Sequence, residues 1–327
     1  LIPPSYRIET PEIMSADTAP IPDLASLLAT PIFEPIPEAE VSVVLNSAPF
    51  IPIPQALNLR TISTATLPPN VLFRSGTLSN LPAPVLASLK EKYNITTIFD
   101  LRGGKELEKS PSVQIDGIET IWIPSGADFG SQIEGENETA PAGDKYGKPS
   151  HRDSVKPAEF ATNDGVDGYI KLYSNFLETH KDAYKAVFER LRDGDGGVLF
   201  HCTAGKDRTG ILSALIMALM GASKDQIAED YALTRIGIEP FREYLLAALT
   251  QQMGKTFAPG KFEEPGMEQL CGVRGPTIVS VLEWMDEKWG KSGKGNYPGV
   301  EGYLIEELGF DGKGLEDIKR KLAAGGQ

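Results

Sequence analysis

The sequence predicts an α/β fold: a central, mainly parallel sheet flanked by helices, with a helical C-terminal half and a proline-rich N-terminal arm. Three observations carry this reading. From residue 70 onward, short β-rich runs alternate with longer helical ones. After residue 210 the chain is almost wholly helical in pattern. Residues 1–55 hold 11 of the 25 prolines, which suits an extended arm and not a packed layer.

In the arm, one short helix is expected around Leu24 to Leu28. Val41, Val43, Val44, Leu45 and Phe50 give its end enough apolar surface to dock on a core. Residues 56–327 read as one domain. Its predicted strands are Val71 to Arg74, Thr96 to Asp100, Thr120 to Ile123 and Gly197 to His201. Helical spacing marks Ala83 to Tyr93 and a long segment from Gly168 to Arg192, where the Tyr169, Leu172, Tyr173, Phe176 and Leu177 stripe reads as core. Residues 125–167 carry almost no large apolar side chains and read as a lid-like insertion. Beyond them lie helical segments at Ile211 to Met220, Lys224 to Thr234, Pro240 to Met253 and Pro276 to Trp289, with two short ones near the end.

Bulk properties restrict the function classes. The formal net charge of −13 disfavours nucleic acid or an anionic membrane surface as partner. The longest apolar run, Ile211 to Met220, is about half of the roughly 20 residues that a spanning helix needs. Two cysteines, Cys202 and Cys271, form no disulfide framework and suit a reducing, cytoplasmic setting. Leu1 is not an initiator methionine, so an upstream targeting segment is left open. Three histidines without metal-ligand spacing argue against a zinc site, and no cofactor is expected.

The chemistry concentrates in Val198 to Gly210, which reads as a buried strand, a tight loop from Cys202 and then a helix. A loop between strand and helix aims backbone N–H groups at one point, and the helix N-terminus adds partial positive charge there. Thr203, Ala204, Gly205, Lys206, Arg208 and Thr209 are therefore candidates to hold a phosphate. Such surroundings lower a cysteine pKa from about 8.5 to roughly 3.5–7.5, whereas an ordinary thiol is only about 3% ionised at pH 7. Cys202 is the candidate nucleophile. Arg208, six positions on, can return its planar fork over the anion. Thr209 is placed to assist a departing thiolate, and His201 either steadies the loop or is an ordinary buried histidine. Lys206 adds a cation that suits a substrate with more than one phosphate.

The string His201-Cys202-Thr203-Ala204-Gly205-Lys206-Asp207-Arg208-Thr209-Gly210 resembles the signature loop of the protein tyrosine phosphatase superfamily. It is most similar to the family that includes the mycobacterial secreted tyrosine and lipid phosphatase and its fungal and bacterial relatives. Leu72-Phe73-Arg74-Ser75-Gly76, Ile98-Phe99-Asp100-Leu101-Arg102 with Glu106, and Asp230-Tyr231-Ala232-Leu233-Thr234 agree with it. One departure is Asn58-Leu59-Arg60-Thr61, where relatives tend to end in Asp. The resemblance implies phosphate-monoester hydrolysis through a phosphocysteine, without metal, on a phosphotyrosyl protein, a phosphoinositide or a small phosphate ester.

It also favours the loop aspartate, Asp207, as general acid. Asp100 and Asp128 are the other aspartates in reach, and Asp100 with Arg102 is the better candidate for bracing the loop. Three other readings compete. Sulfurtransferase loops are shorter or lack the Arg-Thr pair. An inactive phosphate-binding module would be expected to have lost Cys202 or Arg208. A merely structural cysteine would make the whole surrounding string a coincidence.

Overall fold

A computed structural model describes residues 23–128, 156–253 and 264–326. The start of the arm and most of the lid-like stretch fall outside the described residues. Among the described residues five strands form one sheet in the order β1-β2-β5-β3-β4: β1 (Arg60–Ile62), β2 (Leu72–Ser75), β3 (Ile95–Asp100), β4 (Glu119–Trp122) and β5 (Gly197–His201). Only β1 runs antiparallel to its neighbour. β5 lies at the centre between β2 and β3 and is buried along its whole length. That double-sided burial is why its sequence is a continuous apolar run and does not alternate.

The helices are α1 (Leu24–Ala29), α2 (Glu38–Leu45), α3 (Ala83–Tyr93), α4 (Gly104–Lys109), α5 (Val166–Thr179), α6 (Lys181–Asp193), α7 (Asp207–Leu219), α8 (Lys224–Ala232), α9 (Thr234–Gly237), α10 (Arg242–Gln252), α11 (Met267–Cys271), α12 (Gly275–Trp289), α13 (Pro298–Glu306) and α14 (Gly312–Ala323). One core packs Phe200 and Val198 of the sheet against Tyr173, Leu215, Ile278 and Tyr303 of the helices. A smaller one packs Phe73, Ile98 and Leu199 against Leu86 and Leu89 of α3 on the other side. No helix among the described residues is long and apolar enough to cross a membrane.

Two expectations are revised and one is borne out. The single helix expected over Gly168 to Arg192 is two, divided at His180. Thr179 Oγ1 bonds back to the Asn175 carbonyl at 2.8 Å, a local bond that competes with helix continuation. The aromatic stripe nevertheless continues across the break through Phe176, His180 and Tyr184, with ring centroids 5.6 and 5.9 Å apart. The helix after the loop begins at Asp207, before the apolar run, so Asp207, Arg208 and Thr209 form its first turn. The described part of the arm is docked, with Leu27, Ile36 and Val41 packed on Ile236 of α9.

Candidate active site

β5 ends at His201 and α7 begins at Asp207, so Cys202 to Lys206 must reverse direction within five residues. Gly205 makes this possible: its φ is +69°, and a Cβ there would meet the Ser75 carbonyl oxygen at 2.5 Å. The carbonyls of Thr203, Ala204 and Gly205 are bonded to groups outside the loop. Thr203 O accepts from Thr77 N at 3.0 Å, Ala204 O from Asn58 Nδ2 at 3.3 Å, and Gly205 O from Asn58 Nδ2 at 3.1 Å and an Arg74 terminal nitrogen at 2.8 Å. Carbonyls held on the outside are what an anion cradle requires, since its interior must be lined by N–H groups.

The braces form a network of their own. Arg60 and Arg74 are fully buried and share the carboxylate of Asp230. Arg60 also donates to Asp230 O at 2.7 Å, to Thr234 Oγ1 at 3.1 Å and to the side chain of Asn58. Burial, with Arg74 alongside, lowers the Arg60 pKa to about 9, and Asp230 opposes that shift. Burial would raise the pKa of Asp230, but the two arginines outweigh it and hold the carboxyl below its usual range. Gly237 of α9 is required here, because a Cβ would collide with Asn58 Oδ1.

Cys202 is fully buried and Arg208 is 3% exposed. The Arg208 fork is bidentate on Glu106, at 2.6 and 2.9 Å, and also donates to Leu101 O at 3.0 Å. Glu106 also accepts from Gly103 N at its own helix start and from Thr203 Oγ1, so α4 is tied both to the loop and to Arg208 in the turn after it. Burial works against the Arg208 charge, but Glu106 and the neighbouring acidic groups hold its pKa above the usual arginine value. Arg208 Nε and Thr209 Oγ1 are buried and have no hydrogen-bond partner.

The three candidate aspartates separate clearly. Asp100 accepts from Arg102 Nε and a terminal nitrogen at 2.9 and 2.7 Å and from Ser112 Oγ at 2.7 Å, with His201 Nε2 3.8 Å away. Burial would raise its pKa, yet His201, Arg102 and Ser112 bring it down to about 2. It is a fixed anion. Asp128 accepts from Ser125 N and Oγ, both at 2.8 Å, and from Gly104 N at 3.0 Å, so it pins the start of the lid-like stretch to α4. Asp207 is buried, accepts from Tyr173 OH at 3.1 Å and lines a cavity of about 120 Å³ beside the loop.

Lys206 is not the free cation that the sequence suggests. Its ammonium donates to Tyr169 OH and Leu270 O, both at 2.8 Å, and lies 3.6 Å from Asp207 Oδ1. A buried ammonium needs such partners. His201 Nδ1 lies 3.2 Å from Cys202 O, and burial lowers the pKa of the imidazole, with Asp100 opposing. Cys271 lines the same cavity, where burial pushes its thiol up to about 12.

Sequence reasoning did not assign site contacts to Tyr169, Tyr173 or the Arg60–Asp230–Arg74 group. A signal existed in each case: a buried tyrosine hydroxyl seeks a partner, and an arginine within a buried strand needs an anion.

A family model described as "Tyrosine phosphatase family" matches residues 51–324. Among known proteins, the chain is 29% identical over 251 residues to the triple specificity protein phosphatase of Mycobacterium tuberculosis, covering 74% of this chain and 90% of that one. It is 27% identical over 161 residues to a tyrosine-protein phosphatase of Nostoc commune, covering 49% and 51%. Among solved structures, the core catalytic domain of the PP-IP phosphatase of S. cerevisiae is 14% identical and covers 60% of this chain and 99% of that one, with a TM-score of 0.26.

Proposed function

Since the chain belongs to the tyrosine phosphatase family and is a cysteine-dependent phosphatase, we propose that Cys202 is its nucleophile, Arg208 its phosphate clamp and Asp207 its general acid. The observation that carries this reading is the loop itself. The carbonyls of Thr203, Ala204 and Gly205 are bonded to groups outside it, while Arg208 Nε and Thr209 Oγ1, in the first turn of the helix that follows, are buried without partners. Buried polar groups left unpaired cost free energy unless a ligand or reacting group satisfies them.

In the proposed reaction, Cys202 Sγ attacks phosphorus as the ester P–O bond breaks. The leaving oxygen takes a proton from Asp207, giving a phosphocysteine. Water then attacks phosphorus, Asp207 takes up the water proton, the P–S bond breaks and inorganic phosphate leaves. Thr209 Oγ1 donates to the departing thiolate. Arg208 and the loop N–H groups hold the equatorial oxygens in both steps. Asp207 is preferred over Asp100 and Asp128 because it lines the cavity beside the loop and they do not, and its neighbours there, Tyr173 OH and the Lys206 ammonium, hold it in place.

The proposed substrates are phosphate monoesters with an aryl leaving group, phosphotyrosyl proteins among them. The aliphatic lining of the cavity and the triple specificity named for the mycobacterial relative support this. Comparing aryl phosphates of graded leaving-group acidity in wild type and Asp207→Asn tests both parts. Wild type should release phosphate throughout the series. Asp207→Asn should lose about 10²-fold or more with the poorest leaving groups and far less with the best. Equal losses across the series would remove Asp207 as the acid, and no release from any ester by wild type would overturn the reading.

A further inference from the structure

The cavity beside the loop has one wall from an unexpected source. Ile32, in the proline-rich arm, is 3% exposed and lines it together with Thr203, Ala204 and Asp207. The family match begins at residue 51, so this wall lies outside the residues that the family model matches.

The arm is held there by specific bonds as well as by apolar contact. Arg235 of α9 donates Nε to Thr30 O at 3.0 Å and a terminal nitrogen to Pro31 O at 3.2 Å and Glu34 O at 2.6 Å. Its other terminal nitrogen pairs with Glu239, whose Oε1 accepts from Ile36 N at 3.0 Å. One buried guanidinium therefore fixes the backbone on both sides of Ile32. α9 carries the connection inward, since Thr234, the residue before Arg235, accepts from Arg60 and Asn58 of the loop braces.

We infer that the arm segment Thr30 to Ile36 is a specificity element of the active site, with Ile32 forming an apolar wall against the leaving group of the phosphate ester. This rests on the reading of the loop as the catalytic site. Leu172, Leu246, Leu249 and Leu270 make most of the remaining wall apolar, with Arg242 and Lys206 as its cations, so the surface suits an aromatic ring next to the phosphoryl oxygen better than a short polar carbon chain.

The test is the ratio of kcat/KM for phosphotyrosine to that for phosphoserine, measured on the full chain. Ile32→Ala should lower this ratio about ten-fold, the scale of losing apolar contact in a binding pocket. Ile32→Val removes one methyl group with little risk to folding and should shift the ratio about two-fold in the same direction. A general packing defect lowers both rates together and leaves the ratio unchanged. An unchanged ratio in folded Ile32→Ala, or in Ile32→Val if Ile32→Ala does not fold, overturns the inference. Wild type that cleaves neither ester overturns the phosphatase site itself, and the wall with it.

Discussion

Arg208→Ala is expected to lower kcat for phosphate release by about 10³-fold or more, with a smaller change in KM. Its fork is already set in the absence of substrate: two nitrogens lie on Glu106, one of them also on Leu101 O, and Nε is buried without a partner. An arginine fixed in this way meets phosphoryl oxygens with little reorganisation. The charge it stabilises grows on the equatorial oxygens during transfer, so the loss falls on the transition state more than on the bound ester. Arg208→Lys should recover little, because an ammonium cannot keep the bidentate contact with Glu106 and still present a planar donor. Steady-state kinetics on one aryl phosphate decide the point, and a fall in kcat of less than ten-fold would exclude the clamp.

Asp230→Ala is expected to destabilise the fold by about 3–5 kcal/mol, because it leaves two buried arginines without their shared anion. Arg60 and Arg74 have fully buried side chains, and both pair with this carboxylate. The arginines hold the folded-state pKa of Asp230 below its usual value. Its contribution is therefore fully present above the unfolded aspartate pKa of about 3.9 and fades as pH falls toward the folded value. Urea unfolding at neutral pH measures the difference. Because Arg74 and Asn58 hold Ala204 O and Gly205 O, the surviving folded protein should also lose activity. A change under about 1 kcal/mol would show that the network does not contribute as its geometry implies.

How much of this was legible in the sequence depended on whether a feature is local. β5 and α3 fall where the sequence places them, because a continuous apolar run and a 3–4 spacing are short-range signals. β1 was not anticipated: it has three residues, one of them Arg60, and is a strand only because β2 pairs with it. The loop was legible for the same local reason, since Cys202, Gly205, Arg208 and Thr209 lie within one turn of chain. Its braces were not. Asn58, Arg74 and the stretch from Asp230 to Thr234 come from three separate segments, and only the fold brings them together behind the carbonyls of Ala204 and Gly205. The partners of Lys206 were equally hidden: Tyr169 and Leu270, which hold its ammonium, are remote in sequence. The arm's docking was expected from Val41 and Phe50, but its contact with the cavity through Ile32 depends on Arg235, about 200 residues away.

The account stands most directly on Cys202. Rapid acid quenching during turnover of an aryl phosphate, followed by peptide mass spectrometry, should find phosphate on the peptide containing Cys202 and not on the one containing Cys271. Cys202→Ser should give neither the adduct nor turnover. Sustained turnover by Cys202→Ser, or an adduct on a different residue, would contradict it.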